Sequence, residues 1–170
     1  MLSAEPQTLK TRTGIAIRVR PAEPSDEPLL ARFFESVSAD DRRFRFLTAT
    51  DHVGHSQLAP MTECDHWQTE TFVAFEEGDA LPVATAMLAC DRSMTSAEVA
   101  ISVRADRKAL GIGWTLLDHV ARAAQRRGIR VLQSIESRDN HSAIELEREM
   151  GFAARPVEGD PTLVLLEARF

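Results

Sequence analysis

Apolar and polar residues alternate from Ile15 to Arg20, with Ile15, Ile17 and Val19 on one set of positions and Ala16, Arg18 and Arg20 on the other. That period of two predicts a strand, which Pro21 ends. Leu29, Leu30, Phe33, Phe34 and Val37 then recur at helical spacing, with Ser25 as a cap and Asp26 and Glu27 in the first turn. Residues 39–47 and 56–61 read as shorter helices, and residues 71–75 and 82–90 as strands joined through Glu76-Glu77-Gly78-Asp79. The run 97–103 is a further strand. Ile112, Leu116, Leu117, Val120 and Ala124 form the stripe of an amphipathic helix that stops at Arg126-Arg127-Gly128. Residues 131–137 read as a strand, Asn140 opens a helix that ends at Gly151-Phe152, and residues 162–167 close the chain as a strand. Residues 1–14 carry no such pattern and read as a flexible extension before a single domain over 15–170.

The passage from 103 to 113, V-R-A-D-R-K-A-L-G-I-G, joins the strand 97–103 to the amphipathic helix. A glycine-bearing turn at a helix N-terminus is an anion site, because the first helical N–H groups have no intrahelical partner and the dipole places positive charge there. Gly111 and Gly113 carry no Cβ and let backbone amides approach a phosphate, and Lys108 adds a cation. The third glycine of a G-x-G-x-x-G dinucleotide turn is replaced by Leu116, and no G-x-x-x-x-G-K-[ST] loop is present.

What remains resembles the pyrophosphate loop of the GNAT N-acetyltransferases, [RQ]-x-x-G-x-[GA], here Lys108-Ala109-Leu110-Gly111-Ile112-Gly113 with lysine in place of the planar fork of arginine. The spelling N-H-S-A-I-E-L-E-R-E-M-G-F from Asn140 to Phe152 is similar to the family's N-x-x-A-x(7)-G-F ending. Arg20, Pro21, Asp26, Leu30, Phe33, Phe34, Ser38, Arg42, Arg45 and Phe46 resemble the opening of the acetyltransferase domain of bacterial Pat-type protein lysine acetyltransferases. The resemblance implies a mixed α+β fold: a central, mostly antiparallel sheet of about six to seven strands with a splayed pair, flanked by about four helices. It implies acetyl-CoA as co-substrate, with the backbone of Ile101 and Val103 pairing the pantetheine arm. Residues 108–113 would hold the pyrophosphate, and Asn140 would make a polar contact to the same molecule besides its ordinary role as a helix cap.

Acetyl transfer to an amine needs a base. Strand alternation sets Glu98, Ala100 and Ser102 on one face of 97–103 and Val99, Ile101 and Val103 on the other, so Glu98 is expected to line a cleft and to serve as general base. The alternative is a solvated strand-end glutamate, with Glu136 as reserve base. The sequence contains no tyrosine, the residue that many family members use as general acid. Glu147 stands at that place in the spelling. Glu147, Ser142 and solvent are all open as proton donors, and no acid is assigned.

Composition narrows the classes. Apolar residues at 44% and charged residues at 27% suit a soluble globular domain, and a net charge of −6 argues against nucleic acid and tolerates a cationic acceptor. The absence of a signal peptide and of a long apolar run argues against a membrane and for the cytoplasm, where Cys64 and Cys90 are expected as free buried thiols. His52, His55, Cys64 and His66 have ligand chemistry but no zinc-knuckle spacing, so no metal is expected and the segment reads as a loop near the acceptor with Trp67 as a packing anchor. Arg42, Arg43 and Arg45 read as a solvated or salt-bridged helix face. The function expected is acetyl-CoA-dependent acetylation of a primary amine, with a protein lysine as the leading acceptor and a homodimer left open. An acyl-CoA-binding sensor or partner module without turnover and a small-molecule amine acetyltransferase are the alternatives.

Overall fold

The computed structural model describes residues 5–47 and 52–170. Within them, eight strands form one sheet in the order β1-β2-β3-β4-β5-β6-β8-β7. The strands are β1 (Gln7–Lys10), β2 (Ala16–Pro21), β3 (Thr69–Glu76), β4 (Ala84–Cys90), β5 (Ser96–Val103), β6 (Val131–Ser137), β7 (Ala153–Val157) and β8 (Asp160–Arg169). Five α-helices accompany them: α1 (Glu27–Glu35), α2 (Ala39–Phe46), α3 (His55–Thr62), α4 (Ile112–Arg126) and α5 (His141–Glu149).

All neighbours are antiparallel except β5 and β6, which are parallel and joined by the crossover helix α4. This pair registers only over Ser96–Val131, Ala97–Leu132 and Glu98–Gln133. Beyond Glu98 the two strands part, and the rest of β5 keeps β4 as its one strand neighbour, down to Val103 opposite Ala84. The expected splayed pair is therefore β5 and β6.

Alternation along the strands feeds a separate core on each face. Phe72 and Ala74 of β3 join Ala97 and Val99 of β5 beneath α4, whose Leu116, Leu117 and Val120 are fully buried. Val73 and Phe75 face the other way and meet Leu30, Phe33 and Phe34 of α1 and Leu58 and Met61 of α3. Burying such side chains is worth about 1.5–3 kcal/mol each, so each face of the sheet is secured by its own helices.

Polar residues fix the joints. Arg20 grips Asp26 through two hydrogen bonds, Nη1 to Oδ2 at 2.8 Å and Nη2 to Oδ1 at 3.0 Å, and Asp26 also accepts the Glu23 N–H at 2.8 Å. This clamps the end of β2 to the start of α1; Asp26 rather than Ser25 stands at the N-cap position, and its side chain serves Arg20 and the Glu23 N–H rather than the helix. Ser38 caps α2 by accepting the Asp41 N–H at 3.1 Å, and Arg42 donates to the carbonyls of Phe34 in the last turn of α1 and of Val37 just beyond it.

Two differences from expectation lie at the sheet edges. Residues 7–10, expected inside a flexible extension, form β1 and pair with β2 from Gln7–Val19 to Lys10–Ala16; residues 1–4 of that extension lie outside the described residues. A four-residue strand with Gln, Thr and Lys at its exposed positions offers too short an alternation to be read from sequence. β7 is likewise unmarked in the sequence, because A-A-R-P-V carries no apolar period and only Ala154 and Val157 are partly covered. It packs as an edge strand on β8.

Candidate active site

Where β5 and β6 part, a cavity of about 440 Å³ opens between them. Its walls come from β5, the turn before α4, the start of α4, β6, α5 and α2. Pockets of this size suit small-molecule ligands.

One end of the cavity is built of backbone. Gly111 is the residue before α4 and adopts φ 84°, in the left-handed region, and no side chain caps the helix. The first N–H groups of α4 are thus left for a ligand. A Cβ on Gly111 would lie 3.7 Å from Thr11 Cβ and 3.9 Å from the Arg12 nitrogen, an ordinary contact, so glycine serves the φ angle there more than the space. A Cβ on Gly113 would come 3.5 Å from Leu146 Cδ1. Ala109 also has a positive φ, 61°. The turn leans on the loop between β1 and β2: Thr13 Oγ1 donates to the Leu110 carbonyl at 2.7 Å, and the Arg12 guanidinium sits 4.5 Å above the Trp114 ring.

The residues expected from sequence fall as follows. Glu98, Ile101, Val103, Lys108, Ala109, Gly111, Ile112, Gly113 and Asn140 all line the cavity. Leu110 packs against the core and turns its carbonyl to Thr13. Lys108 is not a free cation: its Nζ lies 2.6 Å from Asp41 Oδ2 on α2. Asn140 stands at the N-cap of α5 without a side-chain hydrogen bond to the helix; its Nδ2 donates to Glu136 Oε2 at 3.1 Å.

Glu98 is exposed and stands on the cavity wall at the last paired position of the splay. Since it registers with Gln133, it lies on the face of the sheet opposite Ser134 and Glu136. Arg45 of α2 lines the same cavity, within electrostatic reach of both Glu98 and Glu136. Burial pulls its guanidinium below its ordinary pKa, against the attraction of those two carboxylates. The arginine run is accordingly split: Arg42 ends α1, Arg43 is an exposed partner of Asp40 at 3.8 Å, and Arg45 belongs to the cavity. Three arginines in four residues of a helix cannot share one environment, and the sequence did not reveal which one turned inward.

Glu136 and Glu147 form the second acidic element. Glu136 accepts the Ser134 hydroxyl at 2.8 Å and the Asn140 amide at 3.1 Å. Burial raises its pKa, opposed by those two hydrogen bonds and by the charge of Arg45. Glu147 is 5% exposed and its Oε2 is buried without a hydrogen-bond partner. Burial first, and the neighbouring Glu136 charge second, push its carboxyl up to about 8, against hydrogen bonding from Ser134. The sequence held one sign of this: Ala143, Glu147 and Met150 are spaced by four and three, which puts Glu147 on the inward stripe of α5.

The histidine segment lies elsewhere. His55 Nδ1 is 2.5 Å from Glu27 Oε1, His66 Nδ1 is 2.7 Å from Glu70 Oε1, and Cys64 turns its Sγ toward the Pro60 and Met61 carbonyls. Trp67 is not a packing anchor: it is 56% exposed, with the Arg127 guanidinium 5.6 Å from its ring. Cys90 is buried, whereas Cys64 is only partly so, and both are free.

Comparison with known proteins agrees with this geometry. The profile of the acetyltransferase (GNAT) family matches residues 30–152. An acetyltransferase of Pseudomonas aeruginosa is 27% identical over 154 residues, 89% of this chain and 83% of its own. Among solved structures, the GNAT domain of PAT from S. lividans superposes with a TM-score of 0.88 at 24% identity, covering 97% of each chain. YncA of Salmonella typhimurium, a putative acetyltransferase solved with its cofactor acetyl-CoA, gives 0.68 at 19% identity over 90% of this chain and 93% of that one.

Proposed function

The chain belongs to the acetyltransferase (GNAT) family, and we propose that within it the protein acetylates a primary amine, with a protein lysine as the leading acceptor, by direct transfer from acetyl-CoA with Glu98 as general base. The activity is that of an acetyl-CoA-dependent N-acetyltransferase. The observation that carries the finer reading is the splay: a cavity with helix N–H groups at one end, an unpaired strand edge along its length and Glu98 at the point of divergence.

The residues present fit acetyl-CoA. The uncapped amides of α4 and residues 108–113 offer donors for the pyrophosphate, and the free edge of β5 offers main-chain groups at Ile101 and Val103 to the pantetheine amides. The thioester is thereby brought toward Glu98, and Glu98 takes the proton of the acceptor ammonium so that the neutral amine attacks the thioester. Direct transfer is favoured because neither thiol lines the cavity: Cys90 is buried in the core under α4, and Cys64 lies in the loop after α3.

The test is release of coenzyme A thiol from acetyl-CoA in the presence of lysine peptides and, separately, small amines. Release with lysine peptides supports the reading. Release with small amines alone moves the acceptor to a metabolite, and tight acetyl-CoA binding with no release from any acceptor makes the chain a sensor.

A further inference from the structure

We propose that Glu147 is the proton donor to the departing thiolate, and that Asn140 and Arg45 keep the negative charge of the acidic pair on Glu136 so that the proton stays on Glu147. The inference rests on the acetyl-transfer reading and adds a residue to it.

Glu147 is buried and Glu136 partly so, and two neighbouring carboxyls withdrawn from water do not both ionise cheaply, so the pair divides its charge by environment. Glu136 has two donors, the Ser134 hydroxyl at 2.8 Å and the Asn140 amide at 3.1 Å, and it faces the Arg45 guanidinium. Glu147 has an unpartnered oxygen in a side chain that is 5% exposed. An ionised carboxylate there would leave a buried charge unsatisfied, whereas a carboxylic acid there holds a proton without charge. Both residues line the splay cavity.

Among the described residues, no cation acts on Glu147 to reverse this assignment. On β6 its charged neighbour is Glu136. β8 presents Leu166 and Val164 opposite Ser134 and Glu136. Across the cavity on α2, Arg45 and Asp41 act on Glu136 with opposite signs, and Glu98 of β5 lies on the far face of the sheet.

The step balances. When the tetrahedral intermediate collapses, the C–S bond breaks and its electron pair leaves on sulfur. Glu147 gives its proton to that sulfur and becomes a carboxylate; Glu98 has taken the ammonium proton, and the nitrogen of the intermediate gives its second proton to solvent. Solvent then deprotonates Glu98 and reprotonates Glu147. Base and acid thus stand on opposite faces of the sheet at one opening, as two carboxyls given different duties by their surroundings.

The test is the pH dependence of kcat for wild type, Glu147→Gln and Glu136→Gln, with acetyl-CoA affinity measured by calorimetry. Wild type should lose turnover on the alkaline side, because Glu147 donates only while protonated. Glu147→Gln should bind acetyl-CoA as wild type does, lower kcat by about 10²-fold, the low end of general-acid effects since a thiolate leaves readily, and lack that alkaline limb. Glu136→Gln removes the charge that raises the Glu147 pKa, so its alkaline limb should move to lower pH. An unchanged alkaline limb in Glu147→Gln, or a limb that does not move in Glu136→Gln, overturns the assignment while wild-type turnover preserves the transferase reading. Absence of thiol release in wild type with every amine would instead remove that reading itself.

Discussion

Lys108 Nζ and Asp41 Oδ2 are 2.6 Å apart, so the lysine of the phosphate turn is held by a carboxylate from α2, a helix 67 residues earlier in the chain. The pair ties α2, which also carries Arg45, to the turn before α4. A pyrophosphate at this turn competes with Asp41 for the lysine and is repelled by Asp41 itself.

Asp41→Asn should therefore tighten acetyl-CoA binding, by about 3–10-fold at low ionic strength and less as salt screens the charges. Calorimetric titration at two salt concentrations checks this. Weaker binding in the variant would mean that Asp41 supports the turn rather than competing with the ligand.

Gly111→Val should weaken acetyl-CoA binding about tenfold and lower the melting temperature, because φ 84° costs a residue with a Cβ about 1–2 kcal/mol. Gly113→Ala should keep the fold, since its Cβ would meet Leu146 and Val103 at ordinary contact distances of 3.5 and 3.7 Å. Thermal melts of both variants beside their affinities separate the two glycines. Equal melting temperatures for Gly111→Val and wild type would contradict the conformational role given to Gly111.

Asp26→Asn should destabilise the fold by about 2 kcal/mol, the scale of hydrogen bonds to a charged group, by loosening the Arg20 clamp. The hydrogen bonds from Arg20 hold the Asp26 pKa below its ordinary value, against burial. The stability this gives is complete above the unfolded value near 3.9 and is lost as pH falls through the lower folded value. Denaturant melts of wild type and variant should thus differ at neutral pH and converge in strong acid. A constant difference at every pH would place the loss outside the carboxylate.

Much of this was legible before the structure. The strand, turn and helix over 97–126 could be read because a period of two, glycines and a period of 3.6 follow one another without interruption, and alternation alone set Glu98 apart from Val99. The sequence was silent where the deciding contact is distant. Nothing local marks Lys108 as the partner of Asp41, or Thr13 as the support of Leu110 across 97 positions. Asn140 has the spelling of a helix cap, yet its amide serves Glu136, because the turn from β6 into α5 brings the two within 3.1 Å. β1 and β7 escaped because edge strands need no apolar period to pair.

The base assignment is the centre of the mechanism, and the pH–rate profile of Glu98→Gln against wild type tests it most directly. Gln keeps the size of Glu98 but cannot accept the proton of the amine. Turnover should fall about 10²–10⁴-fold near neutral pH with acetyl-CoA affinity unchanged, and the deficit should shrink as pH rises and more of the acceptor is already neutral. Wild-type turnover in a folded variant, or an equal deficit at every pH, would contradict Glu98 as the base.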